Sequence, residues 1–219
     1  MSGHDKSMGY LQPEQVCAHR GASGTAPENT MIALEKACGM AVASIEFDIS
    51  LLGDDIVIAG SAILDKSLSD FAIDNNLSGF EFLSCIPGTI GGGIRMNAGC
   101  FGREFKDILL SIQVVDKLGN VKTIPSKDIK FEYRKSNLPE DLIFLSASFK
   151  GLKGEYEKIN SEISELKNKK ESNQPTKIKT SGSTFKNPVF QTKKKVWELI
   201  KESVPLDKSF GDACISDKH

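Results

Sequence analysis

The sequence predicts a mixed α+β chain, and three observations carry that expectation. Short runs of alternating or continuous apolar residues, bounded by turn formers, recur along the chain with the period of strands. Between them lie stretches with apolar residues three and four apart, the period of an amphipathic helix. A glycine cluster, four glycines within the six residues Gly88 to Gly93, fits neither pattern.

The elements follow in order. Residues 1–15 read as a disordered leader. Val16-Cys17-Ala18 is short and strand-like and ends at His19-Arg20-Gly21. Pro27-Glu28-Asn29-Thr30 reads as a turn and cap before a helix through Ala41. From Ala43 to Leu51, Ile45, Phe47, Ile49 and Leu51 alternate with Glu46, Asp48 and Ser50, predicting one half-buried strand with two carboxylates on one face. A strand over Ile56–Ala59 leads into a helical pattern of Ile63, Leu64, Leu68 and Phe71 that stops near Asn75-Asn76. Ser111–Asp116 and Val121–Ile124 flank Leu118-Gly119-Asn120 as a hairpin, and Leu142–Phe149 is a further strand. Tyr156, Ile159, Ile163 and Leu166 form a helical stripe, and Lys167–Lys179, carrying Pro175, reads as a polar connector. The last helix, Lys194–Ser203, is expected to bury Trp197 and Ile200.

Composition removes several classes of function. The 28 basic residues balance 29 acidic ones, so no global field attracts nucleic acid or a membrane surface. No apolar run is long enough to span a bilayer, and the N-terminus has no secretion signal. The five cysteines, Cys17, Cys38, Cys85, Cys100 and Cys214, are odd in number and form no Cys-x-x-Cys. Free thiols in a reducing, cytoplasmic setting follow, and with three histidines a zinc site is not expected.

Ile86 to Gly102, IPGTIGGGIRMNAGCFG, is the most informative stretch. Glycine admits positive φ and close backbone approach, so successive N–H groups there can cradle phosphate oxygens such as those of a dinucleotide. No strand-GxGxxG-helix unit surrounds it, so it is not the Rossmann fingerprint. The stretch is followed by FEYRKSNLP, then SGSTFKNP, then the Trp-bearing helix. This order resembles the UDP-N-acetylenolpyruvoylglucosamine reductase (MurB) family from about Ile56 to His219.

The resemblance implies an FAD-binding lobe over residues 56–170 and the start of a substrate domain over 171–219. It implies an oxidoreductase in which NADPH reduces FAD and the flavin reduces the enolpyruvyl group of a UDP-sugar to give UDP-N-acetylmuramate. Carried over to this chain, Arg134 holds and polarises the enolpyruvyl carboxylate, and Ser183 donates the proton that completes reduction. Pro87, Gly88, Thr89, Gly91, Gly92, Asn97 and Gly99 contact the cofactor, and Tyr133, Lys186 and Asn187 contact the substrate. The family's Gly-Ser-Asn motif and its catalytic glutamate have no counterpart here, so weak or absent activity is expected of the isolated chain.

Residues 16–55 resemble something else. AHRGASGTAPENT followed by IEFDISLLGDD is similar to the opening βαβ piece of a glycerophosphodiester phosphodiesterase, a TIM-barrel family. That resemblance implies His19 as acid/base beside Arg20, with Glu28, Glu46 and Asp48 as ligands for a hard divalent metal. Ile58-Ala59-Gly60-Ser61 stands where that family's His-Asp pair belongs, and some forty residues cannot close a barrel of ~250. Two further readings therefore stand beside the reductase: a phosphodiesterase fragment and a non-catalytic remnant.

Overall fold

The computed structural model of the chain describes residues 17–19, 22, 24–26, 31–40, 42, 44–46, 48–173, 185–205, 209–211 and 213–214. Its first unit is β1 (Cys17–His19), α1 (Met31–Gly39) and β2 (Ser44–Glu46), with the two strands parallel. Ala18, Ala22 and Ala37 form its small buried cluster. The expected single strand over Ala43–Leu51 is instead two. β2 pairs with β1, whereas β3 (Ser50–Leu52) pairs antiparallel with β4 (Ile56–Gly60). The alternation is the same on both sides of the break, but the ladder partner changes, and Asp48 lies between the strands rather than on the same strand face as Glu46.

The main sheet has five antiparallel strands in the order β3–β4–β7–β5–β6, with β5 at Leu109–Val115, β6 at Val121–Pro125 and β7 at Ile143–Lys150. β5 and β6 form the expected hairpin. Its turn is closed by Asp116, whose Oδ1 accepts the amides of Leu118 (2.9 Å) and Asn120 (3.0 Å). The Asn120 backbone bond, then Lys122 and the Asn120 amide, hold that carboxyl at about pKa 2.

α2 (Asp65–Asp74), a short 3₁₀ turn at Glu81–Cys85 and α3 (Ile90–Arg95) supply the remaining core residues. Four phenylalanines centre that core. Phe149 of β7 meets Phe80 and Phe105 edge-on, with centroids 6.4 and 6.1 Å apart, and Phe105 meets Phe82 at 6.3 Å. Leu68, Ala72, Ile90, Ile94, Ile112 and Val114 close around them. Phe105 lies over the bare backbone of Gly93, where an added Cβ would come 2.2 Å from the ring.

α4 (Tyr156–Asn173) continues seven residues past the apolar stripe, through the segment expected to be a connector. Lys, Glu and Asn carry no helix-breaking constraint, and the first proline is Pro175. Ile159 and Ile163 pack on Ile73, and the Lys170 ammonium donates to the Cys85 carbonyl at 2.9 Å. α5 (Val196–Ser203) starts two residues later than expected. Trp197 and Ile200 are half-buried rather than buried, and the Lys201 ammonium sits 4.6 Å over the indole. Among the described residues no helix is long and apolar enough to cross a membrane.

Because Phe105 occupies the space of a Gly93 side chain, Gly93→Ala should destabilise the fold by about 3 kcal/mol. At Gly92 an added Cβ would reach only Thr89 Oγ1, at 3.5 Å, so Gly92→Ala should cost under ~1 kcal/mol. Urea denaturation of the two variants beside the parent checks the contrast.

Candidate active site

The glycine stretch is tied to the sheet through a bulge. β7 slips register between Phe144 and Ser146, which turns two carbonyls toward the end of β4. Ser61 takes both: its amide donates to the Leu145 carbonyl at 2.9 Å and its hydroxyl to the Phe144 carbonyl at 2.5 Å. The Ser61 carbonyl then accepts the Gly91 amide at 2.8 Å, and the Ile90 amide donates to the Ile63 carbonyl at 2.9 Å. Thr89 caps α3, with its carbonyl accepting the Gly93 amide at 2.8 Å and its hydroxyl the Gly92 amide at 3.5 Å.

These bonds correct the expected cradle. The amides of Ile90, Gly91, Gly92 and Gly93 are directed at protein acceptors. Only those of Gly88 and Thr89 lack an acceptor among the described residues. Pro87 and Gly88 are exposed and Thr89 half-buried, so this pair of amides sits in an accessible turn at the start of α3. Gly91 serves instead to let the chain pass Ser61, whose Cβ and carbonyl would lie 3.1 and 3.2 Å from an added Cβ.

Asn97 is also structural in its contacts. It is fully buried at positive φ (39°), and its amide donates to Glu104 Oε2 (3.0 Å) and the Glu132 carbonyl (3.1 Å) while its oxygen accepts the Lys106 amide (3.2 Å). Its carbonyl and that of Gly99 point to the Arg134 guanidinium, at 3.4 and 2.5 Å. Gly99 tolerates no side chain, since a Cβ would stand 2.1 Å from the Arg103 carbonyl.

Tyr133 and Arg134 form the tip of a hairpin whose arms are Phe131–Glu132 and Lys135–Ser136. Arg134 has φ of 55°, which a branched or bulky residue holds only when its surroundings fix it. Its guanidinium lies 5.2 Å over the Tyr133 ring. Lys186 donates to the Arg134 carbonyl at 3.0 Å. Asn187 donates to the Tyr133 hydroxyl at 3.3 Å and accepts the Val196 amide, the first of α5, at 2.9 Å. The structure therefore gathers Asn97, Gly99, Tyr133, Arg134, Lys186 and Asn187, while Ser183 lies outside the described residues.

Three residues of this region were not marked by the sequence. Ser61 has been described. Arg95 donates to the carbonyls of Leu138, Pro139 and Leu142 at 2.9–3.1 Å and stacks 4.5 Å over Phe144, fastening the segment after the hairpin to α3. Asp65 is fully buried, with neither carboxyl oxygen partnered among the described residues. Nearby, Cys100 gives its thiol to the Phe82 carbonyl at 3.3 Å; burial, reinforced by Cys85, pushes it up to about 12, so it is not a nucleophile. In the N-terminal unit the register sets His19 opposite Glu46, and Glu28 lies outside the described residues.

The chain is similar to known proteins along most of its length. Residues 20–125 match the family model described as an FAD binding domain. A UDP-N-acetylenolpyruvoylglucosamine reductase of Pelagibacter ubique (strain HTCC1062) is 62% identical over 196 residues, 89% of this chain and 65% of the relative. Over most of its length the chain is similar to the UDP-N-acetylenolpyruvoylglucosamine reductase family. A reductase of the same name from Rickettsia conorii is 46% identical over 166 residues, 76% of this chain and 55% of its own length. The crystal structure of UDP-N-acetylenolpyruvylglucosamine reductase from Thermus caldophilus superposes with a TM-score of 0.66 at 33% identity, covering 74% of this chain and 59% of that one. The chain thus spans between 55% and 65% of the length of these relatives. The family-model match begins at Arg20, upstream of Ile56 and within the segment that bears the phosphodiesterase-like motifs.

Asp65 gives the fold a pH dependence. Burial raises its pKa from 3.8 to about 7. The folded chain therefore holds a proton that the unfolded chain releases. The contribution of the protonated acid is present in full below about pH 3.8 and is lost by about pH 7, a fall on the order of 4 kcal/mol. Denaturation midpoints measured at pH 5 and pH 8.5 should fall more in the parent than in Asp65→Asn, which cannot ionise.

Proposed function

We propose that this chain carries out, or forms the larger part of a protein that carries out, the NADPH-dependent reduction of UDP-N-acetylenolpyruvoylglucosamine to UDP-N-acetylmuramate. The step belongs to cytoplasmic synthesis of peptidoglycan precursors. The observation that carries the reading is the placement of Arg134: at a strained hairpin tip, against Gly99, with the Lys186-Asn187 segment arriving on the same turn. Residues 56–170 are read as most of the flavin-binding unit and residues 171–219 as the opening of the substrate domain.

The residues present fit FAD. Gly88 and Thr89 offer two amides and a hydroxyl at the start of α3, suited to one phosphate edge. Bound FAD supplies the two-electron relay between NADPH and the enolpyruvyl double bond. Hydride arriving at the β carbon drives negative charge onto the substrate carboxylate. Arg134 meets that charge with a two-pronged guanidinium, which stabilises a planar carboxylate better than a lysine ammonium does. Ser183 gives a proton to the α carbon; a hydroxyl is a sufficient acid only because the enediolate-like acceptor is strongly basic. Tyr133, held by Asn187 and stacked under the guanidinium, keeps Arg134 from swinging away. Lys186 stabilises the Arg134 carbonyl and with it the positive-φ backbone.

Purified chain should carry flavin absorbance, and a colourless preparation that also fails to take up added FAD would count against the reading. In stopped-flow half-reactions, Arg134→Ala should slow reoxidation by the enolpyruvyl substrate by about 10²–10³-fold while NADPH still reduces the flavin at near the parent rate. Equal loss of both half-reactions would contradict the role. Ser183→Ala should lower the yield of UDP-N-acetylmuramate per flavin oxidised, by about 10²-fold in rate. Unchanged product formation would remove the proton-donor assignment.

A further inference from the structure

Beneath the Gly88–Thr89 turn lies a carboxyl group that no step of the reaction uses. Asp65 opens α2, is fully buried, and has both oxygens without a hydrogen-bond partner among the described residues. Ser69 Oγ, one helical turn on, is buried and unpartnered in the same way. The two segments are joined through their main chains. The Asp65 amide donates to the Gly88 carbonyl at 3.0 Å, and Leu64 and Thr89 form an antiparallel bridge. The carboxyl follows: a Cβ added to Gly88 would stand 3.1 Å from Asp65 Oδ2. Asp65 therefore packs against the residue whose amide, with that of Thr89, is left for an anion.

Among the described residues no neighbouring charge offsets this group. On α2, Lys66 and Asp70 pair with each other at the surface, and Asp74 is exposed. In the turn after α2, Glu81 accepts the Gly79 amide. On α3, Arg95 is occupied by three carbonyls. On α4, Lys170 is bonded to the Cys85 carbonyl, and Glu162 acts on Glu81. Burial alone holds the proton on Asp65, up to about pH 7. An ionised carboxylate here would face a bound diphosphate through a poorly screening interior, whereas the neutral acid would not repel it. A ligand that prefers the protonated chain must in turn raise the affinity of that chain for its proton.

We propose that Asp65 is a positioning residue of the flavin-diphosphate site: with its proton in place it supports the Gly88–Thr89 turn in the form that receives the anion, and loss of that proton loosens the grip. The proposal rests on the FAD reading above.

The test is titration of the full chain with FAD from pH 6 to 9, followed by equilibrium dialysis, with riboflavin as the ligand lacking a diphosphate. The FAD diphosphate keeps both negative charges throughout this range, so the ligand contributes no inflection there. The FAD dissociation constant should be level near pH 6 and rise about tenfold per pH unit above pH 7. Asp65→Asn should hold a level profile, and riboflavin should show no rise with either protein. A level profile in the parent, a rise that persists in Asp65→Asn, or an equal rise with riboflavin overturns the proposal and leaves the FAD reading in place. Failure of a cooperatively folded chain to bind FAD at pH 6 overturns the FAD reading, and this proposal with it. The parent profile needs no variant to fold.

Discussion

Ser61 joins two parts of the fold that the chain itself does not hold together. Its amide and hydroxyl satisfy the two carbonyls that the β7 bulge turns out of the ladder, and its own carbonyl receives Gly91. Only the bond to Phe144 needs the serine side chain, and a hydroxyl removed from a partly buried carbonyl typically costs about 1–3 kcal/mol. The bonds to Leu145 and Gly91 come from the main chain at position 61, and they fix where the glycine stretch leaves the sheet. Gly91 must be glycine for that approach, and Gly93 must be glycine so that Phe105 can lie beneath it. The position of the Gly88–Thr89 amides is set by this chain of contacts rather than by the freedom of a loop.

The same economy governs the hairpin that carries Arg134. Its arms are two residues each, too short to be rigid alone. Rigidity comes from side chains that reach main-chain oxygens. Arg95 gathers three carbonyls after the hairpin, Ser136 donates to the Arg95 carbonyl at 2.9 Å, and Asn97 reaches the Glu132 carbonyl. Lys186 and Asn187 then bind the tip from a segment some fifty residues later. A positive φ at Arg134 is tolerated because its neighbours on both sides are held.

How much of this was legible in the sequence depended on how local the signal was. The β5–β6 hairpin and the start of α4 were written in alternation, in Leu118-Gly119-Asn120 and in a spacing of three and four, all of which act within a few residues. The strand over Ala43–Leu51 was misjudged because alternation records burial and not the identity of the pairing strand. The helical run beyond Leu166 was missed because an all-polar turn has no stripe, although its residues favour a helix. At the site, the motif located Tyr133, Arg134, Lys186 and Asn187, which do converge. It could not show that the Ile90 and Gly91 amides were already spent, since their acceptors, Ile63 and Ser61, lie about thirty residues away in the turn after β4; the Gly92 and Gly93 amides are taken within their own turn by Thr89. Asp65 gave one faint signal, an acid at the head of a helix directly after the apolar run Ala62-Ile63-Leu64.

The Arg134 guanidinium is already bonded to two peptide oxygens before any substrate arrives. On the role proposed for Arg134, ligand recognition at this position is an exchange of partners, and a newcomer must outbid Asn97 and Gly99. A full carboxylate can do so; an ester or a primary amide presents an oxygen no better than those it would displace. On that role, discrimination between charged and uncharged analogues is built into the fold as competition from the protein's own backbone.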